Sequence, residues 1–244
     1  MSRHAEELTR KDMKAPDAFQ TAAGKAASWI SGKQKAIVAA VVAALAVVAV
    51  VLGVLAWNDS RKASAGGMLF RTLDDADAQI SSVPLPGVSV PTFPNAEAQY
   101  RSVLARAAEL RQAYPSSDAA RTAALASGAA NLRLAAWDAA IADYEGYLAG
   151  AGPKDTLVFV AIEGIARAKE AKGDVPGALA QYEKLQGQVP ARADRATLER
   201  ARLLARSGKA DEARKLLEAF PQDHKDSQLR PDADKQLAAL GGAR

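Results

Sequence analysis

Hydrophobic and polar positions divide the chain into sharply different stretches. Residues 36–58 carry no charge, and 37–57 are almost wholly Val, Ala and Leu. A helix rises 1.5 Å per residue, so about 21 residues span roughly 30 Å, the hydrocarbon thickness of a bilayer. A single helix also satisfies all its backbone amides internally, as lipid requires. Lys33 and Lys35 flank one end of the run, and Trp57, Asp59, Arg61 and Lys62 flank the other. Trp57 stands where interfacial aromatics concentrate. The pattern predicts one transmembrane helix over 36–58. A buried core helix is a poor alternative, because soluble domains rarely contain so long an uncharged run. A cleavable signal peptide is the other alternative, since Ala63, Ser64 and Ala65 resemble a cleavage site. The apolar run is longer than the roughly 7–15 residues of a signal-peptide core, and a long polar segment precedes it, so an uncleaved anchor is expected.

Beyond the span, Leu69, Leu73, Ala76 and Ile80 recur at helical spacing and predict a membrane-proximal helix, loosened at Gly66 and Gly67. Pro84, Pro86, Pro91 and Pro94, with Gly87, make residues 81–94 a loop. From Asn95 onward, stretches rich in Ala, Leu, Arg and Glu alternate with short breaks. The breaks fall at Pro115, Ser116 and Ser117; at Ala135 to Trp137; at 150–153; at Gly173 and Asp174; at 188–190; at Gly208; and at Pro221. No stretch alternates with period two, so no sheet is expected. Ahead of the span, Pro16 and Asp17 suit a helix start. Phe19, Ala22, Ala23, Ala26 and Ile30, with Trp29 beside them, suit either an amphipathic helix on the membrane surface or a solvated lead-in. The expected organisation is a tail over 1–35, a span over 36–58, a membrane-proximal helix and Pro-rich loop over 59–94, and a helical repeat domain over 95–244.

The breaks repeat. Trp137 to Tyr144, Asp174 to Tyr182 and Lys209 to Leu217 each run from a turn through a polar helix start to an Ala, with a large residue four positions later. The alanines, Ala140, Ala178 and Ala213, lie 38 and 35 residues apart. Units end on Tyr114 and Pro115, Val189 and Pro190, and Phe220 and Pro221, with Pro153 in the remaining one. This spacing resembles the tetratricopeptide repeat, a helix–turn–helix unit of about 34 residues. A small residue allows the second helix to cross the first closely, and the large residue one turn on fills the groove between them. Ala124, Gly128 and Asn131 take first-helix positions in one unit; Ile162, Ile165 and Ala166 in the next; Thr197, Ala201 and Leu204 in the last. The usual Trp, Leu, Gly and Tyr of the first helix are mostly missing. The expected fold is therefore all-α: one N-terminal transmembrane helix, then a tetratricopeptide-type α-solenoid of about four helix pairs. From Asp12 to Leu240 the order of parts resembles a narrower family, the YfgM-like single-span tetratricopeptide proteins represented by the ancillary subunit of the bacterial Sec translocon. That resemblance implies a domain facing the periplasm, beside the translocon and a membrane-anchored prolyl isomerase chaperone.

Charge sets the orientation. The net charge is +4, and residues 1–35 hold seven Lys or Arg against four acids, while the remaining 25 basic and 24 acidic residues nearly cancel. The positive-inside rule then puts the N-terminus in the cytoplasm and the repeats across the bacterial inner membrane, in the periplasm. The repeat domain lacks the basic, aromatic-interleaved stripe of a nucleic-acid binder, so no nucleic-acid partner is expected. Without cysteine, thiolate catalysis, disulfides and Cys-based zinc sites are excluded. His4 and His224 are the only histidines, and neither a nucleophile motif nor a phosphate-binding glycine loop is present. Asp74, Asp75 and Asp77 read as a solvated helix face, and His224 as a lone surface histidine. Tyr144, Trp137 and Tyr182 read as inter-helix core. No enzyme activity, cofactor or metal is expected.

Binding of proteins is the expected role. Stacked repeats present their first helices on a concave surface suited to peptide segments. By repeat position, Arg133, Glu163, Arg167, Glu170, Arg195, Arg202 and Arg206 should face it, forming a mildly basic groove for acidic or extended peptides, or else standing solvated. The Asn and Lys carboxylate clamp of chaperone-tail-binding repeat domains is not evident. Two functions fit: a membrane-anchored, chaperone-like periplasmic adaptor of the secretion machinery, binding the translocon, a periplasmic chaperone or unfolded client segments; or a structural scaffold of an envelope-assembly or cell-division complex.

Overall fold

The computed structural model describes residues 18–81 and 91–241, with side chains described at 21–25, 33–36, 38–81 and 91–241. The chain divides into two units, Met1–Ser60 and Arg61–Arg244. The lead-in face from Phe19 to Ile30 lies largely outside the described side chains, and the prolines at 84 and 86 lie outside the described residues.

Helix α1 (Ala18–Ala76) begins in the lead-in and runs without a break through the apolar stretch. Among the described residues it is the one helix long and apolar enough to cross a membrane. Val42, Leu45, Val47, Val50 and Leu52 each expose between 59% and 66% of their surface. That exposure is consistent with a lipid-facing helix and inconsistent with a core helix of a soluble domain. Gly66 and Gly67 do not loosen α1, contrary to expectation, and no side chain approaches either. The buried Ala65 beside them packs on Ala107 and Leu110, holding the helix by tertiary contact where propensity is weak.

Among the described residues, the second unit is all-α apart from one short pairing. After α1 come α2 (Ala96–Ala113), α3 (Asp118–Arg133), α4 (Trp137–Gly150), α5 (Val158–Ala171), α6 (Val175–Gln188), α7 (Ala193–Arg206), α8 (Ala210–Asp223) and α9 (Arg230–Gly241). The exception corrects the expectation of no sheet: β1 (Gln79–Ile80) pairs in parallel with β2 (Thr92–Phe93). Two residues per strand are too few to leave a period-two signal. A second correction concerns Pro221. It does not end its helix, which continues to Asp223. So near a C-terminus, proline removes one bond of a turn that is ending anyway.

Local chemistry sets the helix boundaries. Asn95, Ser117 and Asp174 cap α2, α3 and α6, accepting from the amides of Ala98 (2.8 Å), Ala120 (3.0 Å) and Gly177 (2.9 Å). The turns after α3, α5 and α7 are copies of one another. Each carries a left-handed residue: Ala135 (φ 59°), Gly173 (φ 82°) and Gly208 (φ 81°). Each is closed by an amide reaching back five residues at 2.9 Å: Ala136 to Asn131, Asp174 to Lys169 and Lys209 to Leu204. This is the Schellman closure of a helix end. Five positions beyond each turn residue stands Ala140, Ala178 or Ala213, all fully buried.

From α2 onward each helix packs on the next, and α3 also touches α5, as α7 touches α9. The core is correspondingly divided into four clusters. Ala65, Ala107, Leu110 and Ala123 join the end of α1 to α2 and α3. Ala124, Tyr144, Tyr147 and Ile165 join α3, α4 and α5. Ile162, Tyr182 and Leu203 join α5, α6 and α7, and Leu204, Leu217, Phe220 and Ala233 join α7, α8 and α9. The buried face of α1 differs from the one expected. Ala65, Met68, Leu69, Thr72 and Asp75 turn inward, while Leu73 and Ile80 stay exposed. Asp75 is not part of a solvated acidic face: it is buried, accepting from Ser102 Oγ (2.5 Å) and from Arg106 Nε. His224 is likewise not a lone surface histidine. Its ring tilts against Phe220 at 4.8 Å, and its Nε2 lies 3.0 Å from Thr197 Oγ1. The Thr197 hydroxyl already donates to the Ala193 carbonyl, so His224 Nε2 is the donor of this pair.

Candidate functional site

Polar side chains link helices at nearly constant separation. Arg106 reaches Asp75, Arg111 reaches Asp143, Arg121 reaches Asp155, Lys172 reaches Asp138, Arg202 reaches Glu170 and Ser227 reaches Asp194. The partners stand 31 to 34 residues apart, the length of one helix pair. These charges are neutralised by the fold itself, and a surface open to a partner is one where neutralisation is incomplete.

The seven residues expected on the first-helix face fall into two groups. Glu170 on α5 accepts a bidentate pair from Arg202 on α7, at 2.8 and 2.6 Å, and a third bond from Arg206 at 2.9 Å. Arg202 also donates from Nε to Glu199 at 2.7 Å. These hydrogen bonds hold the Glu170 carboxyl below the usual range and raise Arg202. This group is balanced, two arginines against two glutamates, and offers little to another anion.

The second group is not balanced. Arg133, Glu163 and Arg167 line a cleft of about 480 Å³ bounded by α3, α4 and α5. Glu163 lies 3.4 Å from Arg167 and 3.6 Å from Arg195, both long for charge-assisted hydrogen bonds. Its Oε1 is buried without a hydrogen bond. Arg133 is exposed and makes no ion pair among the described residues.

Trp137, Tyr144 and Phe159 supply the apolar walls. The spacing Phe159, Glu163, Arg167 places all three on one face of α5 and was legible in the sequence, though Phe159 was not singled out. Tyr144 projects from α4 and its ring lies beside Gly128 on α3 and Gly164 on α5. A Cβ at Gly164 would fall 2.2 Å from that ring, so glycine is what admits it. Tyr144 and Tyr182 are core residues as expected, but the Tyr182 hydroxyl is left without a partner, a point sequence reasoning missed. Tyr144 makes no hydrogen bond among the described residues, and burial pushes its phenol up to about 12. The Tyr182 hydroxyl is fully buried with no partner, and burial raises it too. Arg167 acts electrostatically on both.

A second cleft, of about 510 Å³, opens between Arg111, Arg121 and the exposed edge of α4 at Gly146 and Gly150. Its cations are occupied. Arg111 donates to Asp143 at 2.6 Å, and Arg121 to Asp155 at 2.6 Å while stacking on Tyr147. Among the described residues no three His, Asp or Glu side chains are grouped to hold a metal ion. No protein-family model matches the chain, and no curated protein matches it in sequence.

Proposed function

We propose that this chain is a membrane-anchored protein-binding adaptor, with residues 36–58 spanning the bacterial inner membrane and the helical unit projecting into the periplasm. The observation that carries the binding role is the cleft between α3, α4 and α5. Its two arginines outnumber its one carboxylate, whereas the neighbouring group of Arg202, Arg206, Glu170 and Glu199 is balanced. A tetratricopeptide-type solenoid accounts for the buried alanines at 38- and 35-residue spacing and the repeated turn geometry beside them. The resemblance to the YfgM-like proteins supports a position beside the Sec translocon, where emerging chains or a periplasmic chaperone would be the partners.

The test is in the intact cell. A photo-crosslinking amino acid at Arg167, with the exposed Lys215 as control, is expected to capture translocon, chaperone or emerging-chain proteins from position 167 alone. Adducts confined to an envelope-assembly or division complex would favour the scaffold reading, and no adduct from position 167 would sink the binding role. A fusion of alkaline phosphatase after Asp59 is expected to be active, as the positive-inside rule requires.

A further inference from the structure

We infer that the cleft between α3, α4 and α5 takes an extended peptide segment in which an apolar side chain stands next to an acidic one. The inference rests on the protein-binding reading above and specifies what that surface recognises.

The walls select the apolar part. Trp137 and Phe159, both half-buried, line the cleft with Tyr144, and Arg192 stacks on Phe159 at 4.1 Å from its centroid, holding that ring in place. An apolar side chain between these rings leaves water without displacing an existing partner.

The donors select the acidic part. Arg133 and Arg167 present hydrogen-bond donors to the cleft, and the one carboxylate there, Glu163, is held no closer than 3.4 Å by any arginine. Tyr144, whose phenol stays protonated at neutral pH, adds no negative charge to the cleft. A wholly apolar peptide covering this site would strip water from the unpaired Arg133 and the loosely held Arg167, a loss that outweighs the gain from one buried side chain. A lysine-bearing peptide would add a cation beside two arginines. An Asp or Glu satisfies the donors and restores charge balance. The cleft at Arg111 and Arg121 fails the same requirement, because both of its guanidinium groups already hold carboxylates.

The experiment uses the full chain in neutral-lipid nanodiscs and fluorescent nonapeptides of Gly and Ser with a central Phe-Asp, Phe-Asn, Phe-Lys or Ala-Asp, read by anisotropy. Phe-Asp is expected to bind, and its amide, lysine and alanine counterparts to bind roughly ten-fold more weakly or less. Arg133→Gln and Arg167→Gln should each remove most of the Asp-over-Asn preference without moving the thermal midpoint, as both side chains are exposed. Equal binding of Phe-Asn or Phe-Lys, or a preference surviving both substitutions, would overturn the acidic requirement. Equal binding of Ala-Asp would overturn the apolar one. If no peptide binds while the crosslinker at position 167 still captures a partner, this recognition chemistry fails and the protein-binding reading stands. If neither registers, both fail.

Discussion

The Tyr144 ring occupies space that only glycine leaves free on α5. Gly164→Ala is therefore expected to destabilise the helical unit by about 1–3 kcal/mol, the usual range for overpacking. In a Tyr144→Leu background the same substitution should cost distinctly less, and a double-mutant cycle by urea unfolding measures the difference. Equal costs in the two backgrounds would mean the ring is not what Gly164 accommodates. The carboxylates give a second residue-scale prediction. Arg202 holds Glu170 below its usual range, and the Tyr147 hydroxyl does the same to Asp155. A lowered folded value means that the contribution is complete above the unfolded values, about 4.3 for Glu and 3.9 for Asp, and is lost as pH falls through the lower folded values. Stability should be insensitive to these groups from pH 7 to about 5.5 and decline below about 4.5. Glu170→Gln should destabilise at pH 7 by about 1–2 kcal/mol and flatten that acid decline, read from urea midpoints across pH.

At the scale of the element, the three equivalent turns differ in one residue type. Gly173 and Gly208 adopt positive φ freely, whereas Ala135 carries a Cβ at φ 59°. A left-handed Ala costs about 1 kcal/mol, partly offset by the freedom glycine has when unfolded, so Ala135→Gly should stabilise by roughly 0.5 kcal/mol and raise the thermal midpoint by a degree or two. The end of α1 shows how an element's inward face can be misread. Apolar spacing pointed to Leu73 and Ile80, yet the buried positions include Thr72 and Asp75. Thr72 bonds the Met68 carbonyl of its own helix, while Asp75 rests on Ser102 and Arg106 of α2, and no pattern of hydrophobicity reports such a partner on another helix. Asp75→Ala should cost about 2 kcal/mol, while Asp74→Ala and Asp77→Ala should stay within about 0.5 kcal/mol, measured by thermal unfolding.

At the scale of the whole molecule, the nearest-neighbour core makes the end of α1 part of the folded unit rather than a mere tether. Ala107 and Leu110 on α2 are covered by Ala65, Met68 and Leu69. A chain beginning at Arg61 should fold with a cooperative melt. One beginning at Asn95 should lose midpoint or aggregate, because that apolar strip is uncovered. Circular dichroism melts of the two fragments decide the point, and equal midpoints would show α2 to be a sufficient end. Much of this organisation was legible: the apolar run, the helix breaks at Gly173 and Gly208, and the spacing of Ala140, Ala178 and Ala213. The candidate site was legible only in outline. Helical position brought Arg133, Glu163 and Arg167 to one cleft, but did not separate them from Glu170, Arg202 and Arg206, which pair among themselves.

The sequence by itself determined what depends on neighbours along the chain: an uncharged stretch of bilayer length, helices punctuated by Gly and Pro, and small residues returning once per helix pair. Those signals are periodic or local, so one chain displays them. The tertiary structure alone decided which polar groups are satisfied, burying Asp75, closing Glu170 on Arg202 and leaving Tyr144 and Arg133 open. Each of those outcomes turns on residues some 30 positions away, brought within about 3 Å only when successive helices pack, or left apart by that packing.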